Sequence, residues 1–185
     1  DRGMDVLHLA VVDGFAGGGR YRAPDGTLVD GSPLIAIDAI RAAEIEVNVG
    51  RRKPLAVRSK FYFVDKSREA MASLRALLDG RSDVCRDCDG ATVRTFESEF
   101  EKVLPKIIAD LRDGHRRQPR VIFILDQYGY KDVPTGLLAH IFRELPRAEA
   151  FVTVAVGWIA AYLKDYSTMG IRLGLEPHQA QELAE

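Results

Sequence analysis

The chain has 185 residues, of which 46% are hydrophobic and 29% charged, a balance typical of one compact globular domain. The 26 basic and 27 acidic residues give a net charge of −1, which argues against both a strongly basic nucleic-acid binder and an acidic disordered tail. No apolar run approaches the roughly 20 residues of a membrane span. The two cysteines are too few for a disulfide scaffold, so we expect a cytoplasmic protein.

Apolar runs alternate with amphipathic helical patterns along the chain. The run Val6–Asp13 is short and rich in β-branched residues, which is typical of a strand buried on both faces. The further predicted elements are a helix from a Ser32-Pro33 cap to about Glu46, a strand Arg58–Asp65, a helix from a Ser67 cap to about Asp79, a strand Ala91–Phe96, a helix from Ser98 to about Arg112 that Pro105 would kink or break, a strand Arg120–Asp126, a helix Val133–Leu145, a strand Ala148–Val156 and a helix Gly157–Asp165.

Five strands separated by helices predict right-handed βαβ units and a doubly wound, mainly parallel α/β sheet of the Rossmann-like type. We expect the strand order 3-2-1-4-5, with Val6–Asp13 and Arg120–Asp126 adjacent at the centre, because the two most apolar strands belong where both faces are covered. The predicted domain spans residues 1–165. Residues 166–185 form a C-terminal extension or the start of a region that the chain lacks.

A glycine-rich loop, Asp13-Gly14-Phe15-Ala16-Gly17-Gly18-Gly19, follows the first strand directly. Ligands of doubly wound sheets bind outside the carboxyl ends of the strands, where glycines let a ligand lie against the backbone. The predicted loop 14–31 has 18 residues, and this unusual length indicates a function. A dinucleotide fingerprint starting at Gly17 would need a glycine where Arg22 stands, and no Walker motif occurs, so NAD, FAD and P-loop nucleotide sites are disfavoured.

Two weaker motifs are interpreted as structural. Asp25-Gly26-Thr27 resembles part of the haloacid-dehalogenase motif, but its nucleophilic Asp would fall at Ala23, so a plain turn is predicted. Cys85 and Cys88 form a single C-x-x-C, which lacks the four ligands of a structural zinc site, and we expect two loop thiols without a role.

Asp13 followed by Gly17 and Gly19 resembles the first motif of class I S-adenosylmethionine (SAM) methyltransferases. The resemblance implies that the glycine turn meets the amino-acid end of SAM and that Asp65, which ends the second strand, binds the ribose hydroxyls. Carboxylate oxygens are suitable acceptors for both hydroxyl protons. The resemblance implies these loop residues at the cofactor: Asp13, Gly14, Phe15, Ala16, Gly17 and Gly19. A lost or different ligand is the alternative.

The fourth strand ends in Asp126, which is followed by Gln127, Tyr128, Gly129 and Tyr130. This segment resembles the D-P-P-Y motif of amino-group methyltransferases, although the prolines are absent and the aromatic residue stands third instead of fourth. The resemblance implies that Asp126 orients an acceptor nitrogen and that Tyr128 or Tyr130 stacks on the acceptor. An Asp126 that only caps the next turn or helix is the alternative.

Several ordered blocks together resemble the three-Cys-motif partner protein (TcmP) family over roughly residues 11–165; they are VDGFAGGGRY, GSPLIAIDAI, FYFVDKSRE, FILDQYGYKDVP and AVGWIAAYL. The resemblance implies a fold of the class I methyltransferase type and a separate partner protein with a three-cysteine motif. It also implies that Glu99, in FESEFEKVLP, lies near the adenine of the cofactor. Members of the family are commonly longer, so we expect a fragment that lacks a recognition region.

These patterns lead to the hypothesis of a SAM-binding methyltransferase that transfers methyl to an amino nitrogen of an unknown acceptor. The alternative is a non-catalytic partner subunit that retains the methyltransferase fold. A weaker alternative is a magnesium-dependent nuclease that uses Asp13, Asp65 and Asp126. The leading hypothesis includes no metal ligand and no membrane contact. A nucleic-acid substrate is possible in it, although the net charge does not support one.

Overall fold

The computed structural model describes residues 5–85, 91–113, 119–127 and 132–153. The strands in these ranges are β1 (Val6–Asp13), β2 (Arg20–Arg22), β3 (Leu28–Asp30), β4 (Ala56–Asp65), β5 (Thr92–Glu97), β6 (Arg120–Leu125) and β7 (Ala148–Val152). The helices are α1 (Ser32–Asn48), α2 (Arg68–Asp79), α3 (Phe100–Arg112) and α4 (Thr135–Glu144). Every predicted element up to residue 152 is therefore present, with its ends shifted by a few residues.

Five strands form one parallel sheet in the order β5-β4-β1-β6-β7. The predicted adjacency of the first and fourth apolar runs is confirmed, because β1 pairs with β6 from Leu9 opposite Arg120 to Asp13 opposite Ile124. Numbered along the whole chain, the order reads 5-4-1-6-7 and not 3-2-1-4-5. The difference arises because β2 and β3, which the sequence did not predict, form a separate antiparallel hairpin between β1 and β4.

The central strands are buried on both faces, which explains their continuous apolar sequences. One face of the sheet packs against α3 and α4, and the other packs against α1 and α2. The first core contains, among others, Ala10, Val12, Tyr62, Val64, Leu104, Ile107, Phe123 and Ile141. The second core contains, among others, Val11, Phe61, Phe63, Leu34, Ile37, Met71 and Leu74. Successive residues of β1 and β4 therefore alternate between the two cores, and the ends of these strands are fixed in space.

The N-termini of α1 and α2 show one wrong and one confirmed cap prediction. The N-cap of α2 is Ser67, whose hydroxyl oxygen accepts the Ala70 N–H at 3.2 Å. The N-cap of α1 is Gly31, so the prediction that Ser32 caps this helix is wrong. The Ser32 hydroxyl instead donates to the carboxylate of Asp13, because the buried acid at the end of β1 is the stronger acceptor within reach.

Part of the long segment 14–31 is folded as the β2–β3 hairpin. The turn predicted at Asp25-Gly26 is confirmed: the Asp25 carboxylate accepts the Thr27 N–H at 2.9 Å, and Gly26 has a φ of +87°. Arg20 and Asp30 face each other across the hairpin at 2.6 Å. The segment between β1 and the hairpin, residues 14–19, is therefore short and held at both ends.

Two further sequence predictions are corrected. Helix α3 continues through Pro105 from Phe100 to Arg112, so this proline does not break it. Cys85 is disulfide-bonded, so the prediction of a free thiol there is wrong. Predictions for Cys88, Tyr128, Tyr130, the end of the fifth predicted strand, the helix 157–165 and the extension 166–185 lie outside the described residues. No helix in the described ranges is long and apolar enough to cross a membrane.

Candidate functional site

Acidic residues stand at the carboxyl ends of the three central strands. Asp13 and Asp65 are the last residues of β1 and β4, and Asp126 directly follows β6. Because the three strands are parallel neighbours, these carboxylates share one edge of the sheet. Repulsion by Asp126 and Asp65 adds to the burial that raises the pKa of Asp13. The sheet thus brings together the three acids that the sequence indicated.

Asp13 is fully buried and has hydrogen-bond partners at both carboxylate oxygens. Oδ1 accepts the Phe15 N–H at 3.1 Å, and Oδ2 accepts the Ser32 hydroxyl at 2.6 Å. Burial is the main reason why the pKa of Asp13 is raised from 3.8 to about 6, although both hydrogen bonds oppose the shift. Asp13 therefore fixes the start of the glycine loop and the first turn of α1.

The glycine loop is joined to the end of β4 through Asp65. The Gly17 N–H donates to Oδ2 of Asp65 at 2.9 Å, and the Ser67 N–H donates to Oδ1 at 2.7 Å. Gly17 adopts a φ of +61°, in the left-handed region that favours glycine, and this conformation points its N–H at the acid. A carboxylate offers about four lone-pair positions. Asp65 therefore holds the loop and keeps acceptor capacity on both oxygens for a ligand.

Gly19 allows the glycine loop to pack closely on α2. It has a φ of +78°, and a Cβ placed there would come within 2.7 Å of Leu74 Cδ1. The Ser73 hydroxyl of the same helix donates to the Gly18 carbonyl at 3.1 Å. Gly19 therefore serves the attachment of the loop to α2.

A cavity of about 420 Å³ opens at the carboxyl ends of β1, β4 and β5. Its lining residues are Gly14, Phe15, Asp65, Lys66, Ser98, Glu99, Phe100, Glu101 and Asp132. The rings of Phe15 and Phe100 lie 6.2 Å apart and provide its apolar part. Four carboxylates against one lysine make the lining strongly acidic. The volume lies in the range of small-molecule sites, and the charge favours a ligand that carries positive charge or several hydroxyl groups.

The structure brings only some of the predicted site residues to the cavity. Four of them line the cavity: Gly14, Phe15, Asp65 and Glu99. Asp13 and Ala16 are buried beneath it, Gly17 supports Asp65, and Gly19 packs on α2. Asp126 is exposed at the same sheet edge and does not line this cavity. Tyr128 lies outside the described residues.

Several residues at the site have roles that the sequence did not predict. Gln127 is buried, and its side-chain oxygen accepts the N–H groups of Asp132 at 3.1 Å and Val133 at 3.0 Å. It therefore fixes the chain on both sides of residues 128–131. Glu101 and Asp132 add carboxylates to the cavity. The pattern [ST]-x-x-[DE] at 98–101 has the form of a capping box, but the N-cap of α3 is Glu99 without a side-chain cap bond. No local pattern therefore pointed to Glu101, to Asp132 or to the buried amide of Gln127 as residues of the site.

Within the residues that the structure describes, no group of three or more His, Cys, Asp or Glu side chains is arranged to hold a metal ion. Asp13, Asp65 and Asp126 are therefore not arranged as a metal centre in this structure. No protein-family model matches the chain, and no curated protein matches it significantly.

Proposed function

We propose that the chain binds SAM in the acidic cavity beside Asp65 and transfers a methyl group to an amino nitrogen of an acceptor. The observation that carries the proposal is the contact between the Gly17 N–H and Asp65 Oδ2 at 2.9 Å. It couples the glycine loop after β1 to the acid that ends β4, next to a cavity of suitable size. Each feature alone is common, whereas their combination at one end of a doubly wound sheet is typical of a nucleoside-containing ligand site.

The residues at the cavity fit the chemical groups of SAM. The remaining lone pairs of Asp65 are acceptors for the two ribose hydroxyls. Phe15 and Phe100 offer apolar surface to the adenine ring, and Glu99 stands beside them at the N-cap of α3. The net negative charge of the lining suits a ligand with a cationic sulfur and an ammonium group. These fits support the class I methyltransferase assignment as a proposal.

When bound, SAM supplies an electrophilic methyl group on a positively charged sulfur. The chain contributes position and charge. Asp126, exposed beyond the end of β6, would accept hydrogens of the acceptor nitrogen and turn its lone pair toward the cavity. Its charge would also stabilise the ammonium that develops as the nitrogen gains a methyl group. Gln127 holds the backbone next to Asp126 and so limits the movement of this carboxylate.

Membership in the TcmP family, and with it a partner protein that has a three-cysteine motif, is part of the same proposal. It rests on the sequence blocks named above, because the comparisons with known proteins add no support. The second candidate, a non-catalytic partner subunit, is favoured by one observation: Gln127 occupies a place where amino-group methyltransferases have proline, and its side chain has a structural use.

Isothermal titration with SAM and with its demethylated product tests the binding step. We expect saturable binding of both, and a loss of about fivefold in affinity for Glu99→Gln, as expected for one hydrogen bond. Glu149→Gln, on the exposed side of β7, is the matched control and should bind like the wild type. Absence of saturable binding by the wild type would contradict the proposal. Binding without methyl transfer to any offered acceptor would favour the non-catalytic subunit.

A further inference from the structure

Strand β5 lies at the edge of the parallel sheet, with β4 on one side. Among the described residues, its other side is paired at the start of the strand, where the Cys85 N–H donates to the Ala91 carbonyl and the Val93 N–H donates to the Cys85 carbonyl. The bond from the Val93 N–H to the Cys85 carbonyl, at 2.9 Å, shows that odd-numbered residues of β5 direct their backbone groups outward. In the described part of the chain, no hydrogen bond engages the outward N–H and C=O of Thr95. The second half of β5 therefore presents an open edge.

A cleft of about 810 Å³ runs along this edge. Helix α2 and the segment after it form one wall, and α3 contributes to the other. Its apolar lining residues are Leu78, Val84, Val93 and Phe96. The cleft shares no lining residue with the acidic cavity beside Asp65. It combines apolar side chains with the unpaired edge of β5, the two features that an added strand uses.

The charges of the cleft are strongly biased, with four cations against the single carboxylate of Asp79. Arg81 and Arg94 are neutralised by ion pairs with Asp83 and Asp110, at 2.6 and 3.0 Å. The other two cations, Arg75 and Lys106, are less fully neutralised.

Arg75 and Lys106 stand on opposite faces of β5. On the α2 face, Arg75 donates to the Thr95 hydroxyl at 3.0 Å and is 3.8 Å from the Glu97 carboxylate, too far for a strong pair. On the α3 face, Lys106 is exposed and its Nζ lies 5.5 Å above the ring of Phe96, with no carboxylate partner among the described residues. One cation therefore flanks the open edge on each face.

We propose that the open edge of β5 binds an extended, acidic segment of a partner protein, which adds to the sheet as a further strand. The backbone groups of Thr95 would pair with the segment. Side chains of a strand alternate between the two faces, so two consecutive acidic residues would meet Arg75 and Lys106. A second copy of this chain fits less well, because its own edge would bring the same cations against each other.

The test uses a short fluorescent peptide in which two adjacent glutamates are flanked by valine and threonine. Fluorescence anisotropy should show saturable binding to the wild-type chain that weakens as salt is raised. Lys106→Glu should weaken binding about five- to tenfold, the scale of reversing one exposed charge. Arg143→Glu, on the exposed surface of α4, is the matched control and should leave binding unchanged. In the NMR spectrum of the labelled chain, the Thr95 amide should shift and become protected from exchange.

Two control peptides separate charge from strand pairing. A glutamine version should bind about five- to tenfold more weakly, and a version methylated on its backbone nitrogens should not bind. Equal binding of the glutamine peptide, equal effects of Lys106→Glu and Arg143→Glu, or no saturable binding would each overturn the proposal. Self-association of the wild type that Thr95→Pro abolishes would also overturn it, in favour of a second copy as the occupant. None of these measurements depends on SAM.

Discussion

The Gly17 N–H donates to the Asp65 carboxylate at 2.9 Å, across 48 residues of sequence. The contact joins the loop after β1 to the last residue of β4, and it depends on the positive φ of Gly17. The binding of a ligand to the free lone pairs of Asp65 would therefore depend on the position of the glycine loop. Asp65 holds the loop, and in the proposed function it has the separable task of accepting from a ligand.

Replacement of Asp65 by alanine should weaken SAM binding by about 1.5–3 kcal/mol, because charged hydrogen bonds to hydroxyls are lost. The free energy of unfolding of the ligand-free chain should fall by only about 1 kcal/mol, since Asp65 is partly exposed and the two N–H groups that it accepts can bond to water instead. Asp25→Ala is the control, because Asp25 also accepts a backbone N–H two residues on but lies in the hairpin. Titration calorimetry and urea unfolding measure the two effects. A mutant that unfolds, with unchanged affinity in its folded fraction, would make Asp65 a purely structural acid.

The buried carboxyl of Asp13 should make stability depend on pH. Its pKa is about 6 in the folded chain against 3.8 for an exposed group, so the folded state binds the proton more tightly. The contribution of Asp13 to stability is then greatest below about pH 4 and is lost as the pH rises through about 6, a change of about 3 kcal/mol. Asp13→Asn removes this dependence while keeping an oxygen for the Phe15 N–H.

The difference in free energy of unfolding between Asp13→Asn and the wild type should therefore increase from about pH 4 to about pH 7. Urea titrations at several pH values measure it, and the other carboxylates cancel because both proteins contain them. A difference that stays constant over this range would show that Asp13 titrates like an exposed acid. The hydrogen bond from Ser32 lowers the pKa of Asp13, so Ser32→Ala should raise this pKa further. The total change in the free energy of unfolding between low and neutral pH should then be larger than in the wild type.

Gly19→Ala should destabilise the chain more than Gly26→Ala. Both glycines have positive φ, +78° and +87°, and alanine in the left-handed region costs about 1–2 kcal/mol. The Cβ at position 19 would also lie 2.7 Å from Leu74 Cδ1, whereas nothing lies within 4 Å at position 26. Overpacking adds about 1–3 kcal/mol, so urea unfolding should separate the two variants by about this amount. Equal losses in the free energy of unfolding for the two variants would mean that the loop moves away from α2 without a further loss of stability.

The sequence predicted the sheet well because its signals are local. The β-branched run Val6–Asp13 and the run after Arg120 are apolar on both faces, and only a central position in a parallel sheet satisfies this. The hairpin was missed because Arg20–Arg22 and Leu28–Asp30 are three-residue strands without a buried face, so no periodicity marks them.

The sequence predicted residues of the candidate site only where a glycine loop or an acidic side chain stands at or just after the end of a strand. Asp65 is the last residue of β4, Glu99 follows β5, and both line the cavity. The role of Ser32 was misassigned because a serine before proline at a helix start has the pattern of a cap, while the competing acceptor, Asp13, lies 19 residues away. Asp132 lines the cavity, and its N–H donates to the buried side-chain oxygen of Gln127 only five residues before it, but no motif in the sequence marks this contact.

The effect of Asp126 on turnover distinguishes an enzyme from a non-catalytic partner subunit. Strand β6 is fixed by its pairing with β1 and β7, so the exposed carboxylate that follows it stands at the sheet edge next to the site. Asp126→Asn keeps the shape and one acceptor oxygen but removes the charge that would stabilise a developing ammonium. We expect SAM affinity to change little and turnover to fall by about 100-fold or more, the range for a lost electrostatic group. Asp113→Asn, at the exposed end of α3, is the control and should retain full turnover.

The assay offers nucleic acids, protein extracts and a three-cysteine-motif protein as acceptors, each with SAM labelled on its methyl group. Methyl transfer by the wild type and by Asp113→Asn, together with its loss in Asp126→Asn, would support a catalytic role for Asp126. Equal transfer by all three proteins would exclude Asp126 from the reaction and leave it as an exposed acid at the end of β6. If the wild type binds SAM tightly and methylates none of these acceptors, a catalytic role for Asp126 has no support. The non-catalytic subunit then becomes the better assignment.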